Sequence, residues 1–126
     1  MREKLEKLLD NSYAPYSNMH FACIVETESG NFDEGVNIEN ASYGATVGAE
    51  RNAICNAVSH GERKFKALYL MTSSDEICYP CNLCKQVFLE FFDKDVIFNV
   101  MTKSGKMQVL DFEHLMNTTF TKEDLV

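Results

Sequence analysis

A single three-layer α/β domain spanning residues 1–126, with one mixed sheet of about five strands and helices on both faces, is the fold this chain predicts. Three observations carry the expectation. A length of 126 residues with 45% apolar content, nine Phe and five Tyr can fill one core. Apolar residues recur at helical spacing in separate stretches, with strand-like runs between them. The order is a helix, a hairpin, then strands alternating with helices, which is the pattern of an α/β sandwich.

The elements follow in turn. Arg2 to Asp10 sets Leu5, Leu8 and Leu9 at i, i+3, i+4 among charges, an amphipathic first helix. Asn11 and Ser12 end it, and Pro15 within YAPYS forces an irregular connection. A run from Phe21 to Glu28, the turn Ser29-Gly30-Asn31 and a second run from Phe32 to Ile38 predict a hairpin. Asn37 to Thr46 is polar with little periodicity, the kind of loop where binding groups sit. From Val47 to His60 the residues Ile54, Ala57 and Val58 recur at helical spacing, and Gly61 supplies the stop. Phe65 to Thr72 reads as a third strand and Ser73 to Pro80 as a connection. Cys84, Val87, Phe88 and Phe91 repeat at i, i+3, i+4, i+7, so Asn82 to Phe92 is a helix with one buried stripe. Val96 to Met101 and Met107 to Leu110 are strands around Lys103-Ser104-Gly105-Lys106, and Phe112 to Met116 is a short last helix.

Charge narrows the partners. Twelve Lys and Arg against nineteen Asp and Glu leave a net charge of −7, which repels phosphate backbones. The basic stretches, Arg63-Lys64 with Lys66 and Lys103 with Lys106, are short and flanked by turn residues, so they read as solvated loops. No apolar run reaches the roughly 18 residues a spanning helix needs, and MREKLEKLLD is charged and periodic rather than a basic stub before an apolar block. The expected partner is a small uncharged molecule, with neither nucleic acid nor membrane. Five cysteines, an odd number without an export signal, point to a reducing cytoplasmic compartment in which thiols serve metal, catalysis or packing.

The chemistry concentrates in two stretches. Gly48-Ala49-Glu50-Arg51 is answered about thirty residues later by Pro80-Cys81-Asn82-Leu83-Cys84. Zinc deaminases of bases and nucleosides carry a His or Cys, any residue, a Glu, and further on PCxxC; the first residue and both cysteines hold zinc while the Glu shuttles protons. Glu50 and the PCxxC fill that pattern, and Gly48 stands where the first ligand belongs. Hydrolytic deamination of a cytosine ring needs a hydroxide at neutral pH, a proton for the ring nitrogen and a second for departing ammonia. A thiolate-held zinc lowers the pKa of its water toward 7, and one nearby carboxylate can move both protons. The two helices opening near Gly48 and Cys81 should aim their N-termini at one spot, where free N–H groups favour thiolate over thiol.

Over nearly its whole length the chain resembles the cytidine deaminase family of the small homotetrameric, zinc-dependent type. The resemblance rests on YAPYS at Tyr13 to Ser17, GVNIENASYG at Gly35 to Gly44, AERNAI at Ala49 to Ile54, PCNLCKQV at Pro80 to Val87 and FTKEDL near the end. It implies Glu50 as proton shuttle, Cys81 and Cys84 as zinc thiolates, and Arg51 as the arginine that hydrogen-bonds those sulfurs. It also implies Asn37 and Glu39 as the pair gripping the ribose hydroxyl and Ala49 as the backbone that holds the pyrimidine. Ala41 and Tyr43 match positions at which a neighbouring subunit contributes to the site, and Phe120 a late aromatic that reaches across a subunit boundary. The implied substrate is cytidine or deoxycytidine.

Three departures stand out. Gly48 replaces the third thiolate, leaving two protein ligands where catalytic zinc normally has three plus water. Met19 falls where the family usually stacks a Phe on the base, and Asn82-Leu83 replaces the usual Gly-Ala between the cysteines. Cys78 within CYPCNLC, His20, and a water or buffer anion are the remaining candidates for the missing ligand. Cys55, seven residues after Gly48, lies about 10 Å further along the helix axis and reads as core, as does Cys23. A redox CxxC and a structural zinc module stay open beside the deaminase reading. The expectation is a deaminase family protein impaired by Gly48; the alternatives are an inactive nucleoside-binding or structural homo-oligomer and a deaminase of another aminated pyrimidine nucleoside.

Overall fold

The structure, a computed structural model, describes residues 1–118. Its centre is one five-stranded mixed sheet in the order β2-β1-β3-β4-β5, built from β1 (Phe21–Thr27), β2 (Phe32–Val36), β3 (Phe65–Thr72), β4 (Ile97–Thr102) and β5 (Met107–Leu110). Helices α1 (Arg2–Leu9), α2 (Ala49–Ser59), α3 (Asn82–Phe91) and α4 (Phe112–Met116) flank it. The fold class is the one expected from the sequence.

Alternation along the strands divides the core between two faces. Ala22, Ile24, Met71 and Met101 face α1 and meet Leu5, Leu8 and Leu9, the stripe read from the sequence. Cys23, Val25, Leu68, Leu70, Phe98 and Val100 face the other way and meet α2 and α3. Phe65, Phe88, Phe92 and Phe98 interlock there, with ring centroids 5.0–5.7 Å apart. Each such buried ring contributes about 1.5–3 kcal/mol relative to exposure.

Strands β1 and β2 form the expected antiparallel hairpin, closed by Gly30 at φ 91°, a conformation glycine adopts without strain. β3 and β4 are parallel, Leu68 opposite Phe98 and Thr72 opposite Thr102, with α3 as the crossover between them. The chain therefore leaves the end of β3 at Thr72 and runs through residues 73–80 directly to the start of α3, which sets the sulfur motif at the carboxyl edge of the sheet. Predicted boundaries differ by one or two residues. β2 stops at Val36 because Ala22 is the last residue to pair with it. β4 runs on to Thr102 because Thr72 offers it a partner.

Candidate active site

Helices α2 and α3 start beside one another. Gly48 is the N-cap of α2 with ordinary extended angles, φ −74° and ψ 157°, and Cys81 is the N-cap of α3 with φ −74° and ψ 173°. The positive ends of the two helix dipoles converge on this point, where first-turn N–H groups stabilise the Cys81 sulfur and the Glu50 carboxylate. A Cβ built on Gly48 would lie 3.2 Å from Cys84 Sγ and 3.7 Å from Glu50 Oε1. Cys81 Sγ is 3.7 Å from Cys84 Sγ. Residues 48, 50, 81 and 84, remote in sequence, thus meet at one point.

They open onto a cavity of about 310 Å³, the size of a small-molecule site. Ser17, Met19, Phe21, Asn37, Glu39, Tyr43, Thr46, Ala49, Arg51, Leu70, Tyr79, Pro80 and Leu83 complete its lining. A wider groove of about 550 Å³ between α1 and β2 is lined by Lys4, Lys7, Asp33 and Glu34 among others; its opposite charges offset one another and its lining has no Cys, Ser, Thr or His.

Burial sets the electrostatics. Glu50 is 6% exposed. Desolvation raises its carboxyl to about 7, against the pull of a backbone hydrogen bond, and Cys81 adds to the rise while Cys84 and Arg51 oppose it. Such a carboxyl takes and returns protons readily near neutral pH. The two sulfurs share a hydrogen bond. It lowers Cys81 to about 5, helped by the N–H groups of Cys84 and Leu83 and the charge of Arg51. The same bond, with burial, raises Cys84 strongly. One proton therefore serves the pair, with Cys81 as the thiolate.

Two thiolates on one tetrahedral zinc, with bonds of about 2.3 Å, sit about 3.8 Å apart. The sulfur pair matches that spacing. Among the described residues, however, no three His, Cys, Asp or Glu side chains are placed to hold a metal ion. Two protein donors fit zinc and the third is lacking. His20 does not line the cavity, and its Nδ1 is 3.0 Å from Ser12 Oγ. Cys78 is buried, with its thiol 3.6 Å from the Glu76 carbonyl. Cys55 corrects an expectation: it is exposed, not core. It directly follows Ile54 on α2, and the 100° step per residue that buries Ile54 turns Cys55 outward. Cys23 is in the core as expected.

The other predicted residues divide. Asn37 lines the cavity but is also a buried staple: its Oδ1 accepts from the Phe21 N–H at 2.9 Å and from Ser12 Oγ, and its Nδ2 donates to the Met19 carbonyl at 2.8 Å. Glu39 accepts from the Tyr16 and Ser17 N–H groups, each at 3.1 Å, and from Ser17 Oγ. Glu39 thereby holds the YAPYS segment, and Asn37 holds the residues that flank it, Ser12, Met19 and Phe21. Ala49 is fully buried and Met19 half-buried at the lining. Tyr43, on the short 3₁₀ turn Tyr43–Ala45, is 84% exposed, and Ala41 is exposed outside the cavity lining. Phe120 lies outside the described residues.

Sequence reasoning missed Tyr79. Its ring lines the cavity and its hydroxyl donates to Gln108 Oε1 at 2.5 Å, tying the sulfur loop to β5. An aromatic directly before the PCxxC was the available signal.

Residues 1–100 match the family model for the cytidine and deoxycytidylate deaminase zinc-binding region. A probable cytidine deaminase of Dictyostelium discoideum is 36% identical over 134 residues, covering 99% of this chain and 89% of that protein. A cytidine deaminase of Sporosarcina psychrophila is 34% identical over 120 residues, covering 95% and 88%. The crystal structure of cytidine deaminase from Burkholderia pseudomallei superposes with a TM-score of 0.85 at 30% identity, covering 94% of both chains.

Proposed function

The chain belongs to the cytidine deaminase family, a family of zinc-binding hydrolases, and from that premise we propose that its cavity binds cytidine or deoxycytidine while Gly48 impairs hydrolysis to the uridine form and ammonia. The observation that carries the reading is the meeting of Glu50, Cys81 and Cys84 at two converging helix starts, with a glycine facing Cys84 Sγ. Glu50 is the proton carrier, taking a proton from the attacking water and returning protons to the ring nitrogen and the leaving amine. Cys81 and Cys84 are the zinc thiolates, and Arg51 tempers their charge. Ala49 offers its backbone to the pyrimidine, Met19 lies against the base, and Asn37 and Glu39 hold the ribose side of the pocket. Ala41, Tyr43 and Phe120 belong to subunit contacts of a homotetramer with sites at its interfaces; the 84% exposure of Tyr43 at the cavity supports this. No helix among the described residues is long and apolar enough to cross a membrane. A cytoplasmic place, with a small nucleoside rather than nucleic acid or membrane as partner, fits the acidic charge and the five cysteines outside disulfides.

Uridine formation with added zinc, measured for this chain and for Gly48→Cys, tests the reading. Loss of a side chain that merely hydrogen-bonds a metal ligand costs about 10–100-fold, so restoring a direct ligand should raise turnover at least about a hundredfold. Equal turnover in the two proteins would refute the role given to residue 48.

The absent third donor favours one other reading, a nucleoside binder without turnover. Calorimetry with cytidine and a tetrahydrouridine-type analogue separates the two. Equal affinity for both means no transition-state preference and hence no working site.

A further inference from the structure

Cys81 and Cys84 form a sulfur pair that no third side chain among the described residues completes. Cys81 is half-buried and lines the cavity, while Cys84 is 2% exposed behind it. Their sulfurs are already in van der Waals contact at 3.7 Å. Cys81 is the N-cap, with ψ 173°, so its backbone is extended and its side chain is not fixed to the helical ridge as an interior residue's is. Gly48 contributes no side chain, which leaves Cys84 Sγ room on that side. An accessible first cysteine at a helix start and a shielded second one a turn later is the arrangement thiol–disulfide exchange needs.

We infer that Cys81 and Cys84 are a thiol–disulfide exchange site that takes a low-molecular-weight disulfide from the cavity side and closes to an intramolecular disulfide. The chemistry balances in two displacements. Cys81 sulfur attacks one sulfur of the small disulfide, forming a mixed disulfide and releasing one small thiol, whose proton comes from solvent. Cys84 sulfur then attacks Cys81 sulfur, forming the Cys81–Cys84 bond and releasing the second small thiol with the Cys84 proton. The protein loses two electrons and the Cys84 proton, and the small disulfide gains the two electrons, that proton and one more from solvent. Because the closed bond consumes both sulfurs, oxidation and metal binding at this pair exclude one another.

The test uses the full chain after treatment with a chelator, so its outcome does not depend on whether the nucleoside reading holds. The chain is equilibrated with mixtures of oxidised and reduced glutathione, quenched, alkylated and mapped by mass spectrometry. Full conversion of residues 81 and 84 to one internal disulfide, reversed by dithiothreitol and unchanged in Cys55→Ser, supports the site. In Cys84→Ser a stable glutathione adduct should accumulate on Cys81, and in Cys81→Ser the internal disulfide should disappear. Exposed Cys55 reports that the oxidant is active. Glutathionylated Cys55 beside thiols at 81 and 84 that remain alkylatable overturns the inference, as does a disulfide mapped to any other pair. If Cys84→Ser fails to fold, mapping of the unaltered chain and of Cys81→Ser still decides.

Discussion

Two glycines flank helix α2, and they lack side chains for different reasons. Gly35 lies on β2 where the helix crosses it. A Cβ there would meet Ala53 N at 2.4 Å, Ala49 O at 2.7 Å and Asn52 Cβ at 2.7 Å, two of them backbone atoms that cannot step aside. Gly48, at the start of the same helix, would bring its Cβ to 3.2 Å from Cys84 Sγ and 3.7 Å from Glu50 Oε1, both ends of side chains. Its backbone angles suit any residue. Close packing forbids a side chain at position 35, whereas at position 48 only a sulfur has to shift by a few tenths of an ångström. The missing third donor is therefore not imposed by the fold.

Substitutions along this helix sharpen or break the contrast. The largest effect is expected from Gly35→Ala, which must push α2 off the sheet. Overpacking against immobile atoms should cost about 3 kcal/mol or more in denaturant unfolding. A loss below about 1 kcal/mol would show that the helix slides freely and that the two glycines are alike. Between them sits Asn52, whose Nδ2 donates to the Val36 carbonyl at 2.7 Å. Asn52→Ala leaves that carbonyl without this donor and should cost about 1–2 kcal/mol, read in the same unfolding experiment. The smallest effect belongs to Gly48→Ala. It adds a methyl group and no donor, so stability should change by less than about 1 kcal/mol, and uridine formation should stay at the level of the unaltered chain while Gly48→Cys rises. A Gly48→Ala variant as unstable as Gly35→Ala would mean that Cys84 cannot yield, and that the glycine is a packing requirement after all.

The same contrast explains how much could be read beforehand. Periodicity found the elements because burial imposes it. Leu5, Leu8 and Leu9 do face the sheet from α1, and Phe65 to Thr72, Met107 to Leu110 and Phe112 to Met116 begin and end where the pattern says. It erred on Cys55, where one residue's rotation around the helix separates core from solvent and a cysteine's chemistry suits either. Residues of the site follow no period. Glu50, Cys81 and Cys84 were legible only as a motif whose spacing belongs to a family. The dual position of Asn37 and Glu39 was hidden because their partners, the N–H groups of residues 16 and 17 in the loop around Pro15 and of Phe21 at the start of β1, are set by tertiary contacts. Tyr79 was overlooked because its partner, Gln108, is 29 residues away on an edge strand.

The unstrained backbone at residue 48 has a meaning for the lineage as well as for the molecule. Two of the four glycine codons lie a single base from a cysteine codon, and the main chain here accepts either residue. A side chain at residue 48 needs no repacking of the sheet or its helices, only a small shift of the Cys84 sulfur. The donor set of the pocket is thus open to change at one position.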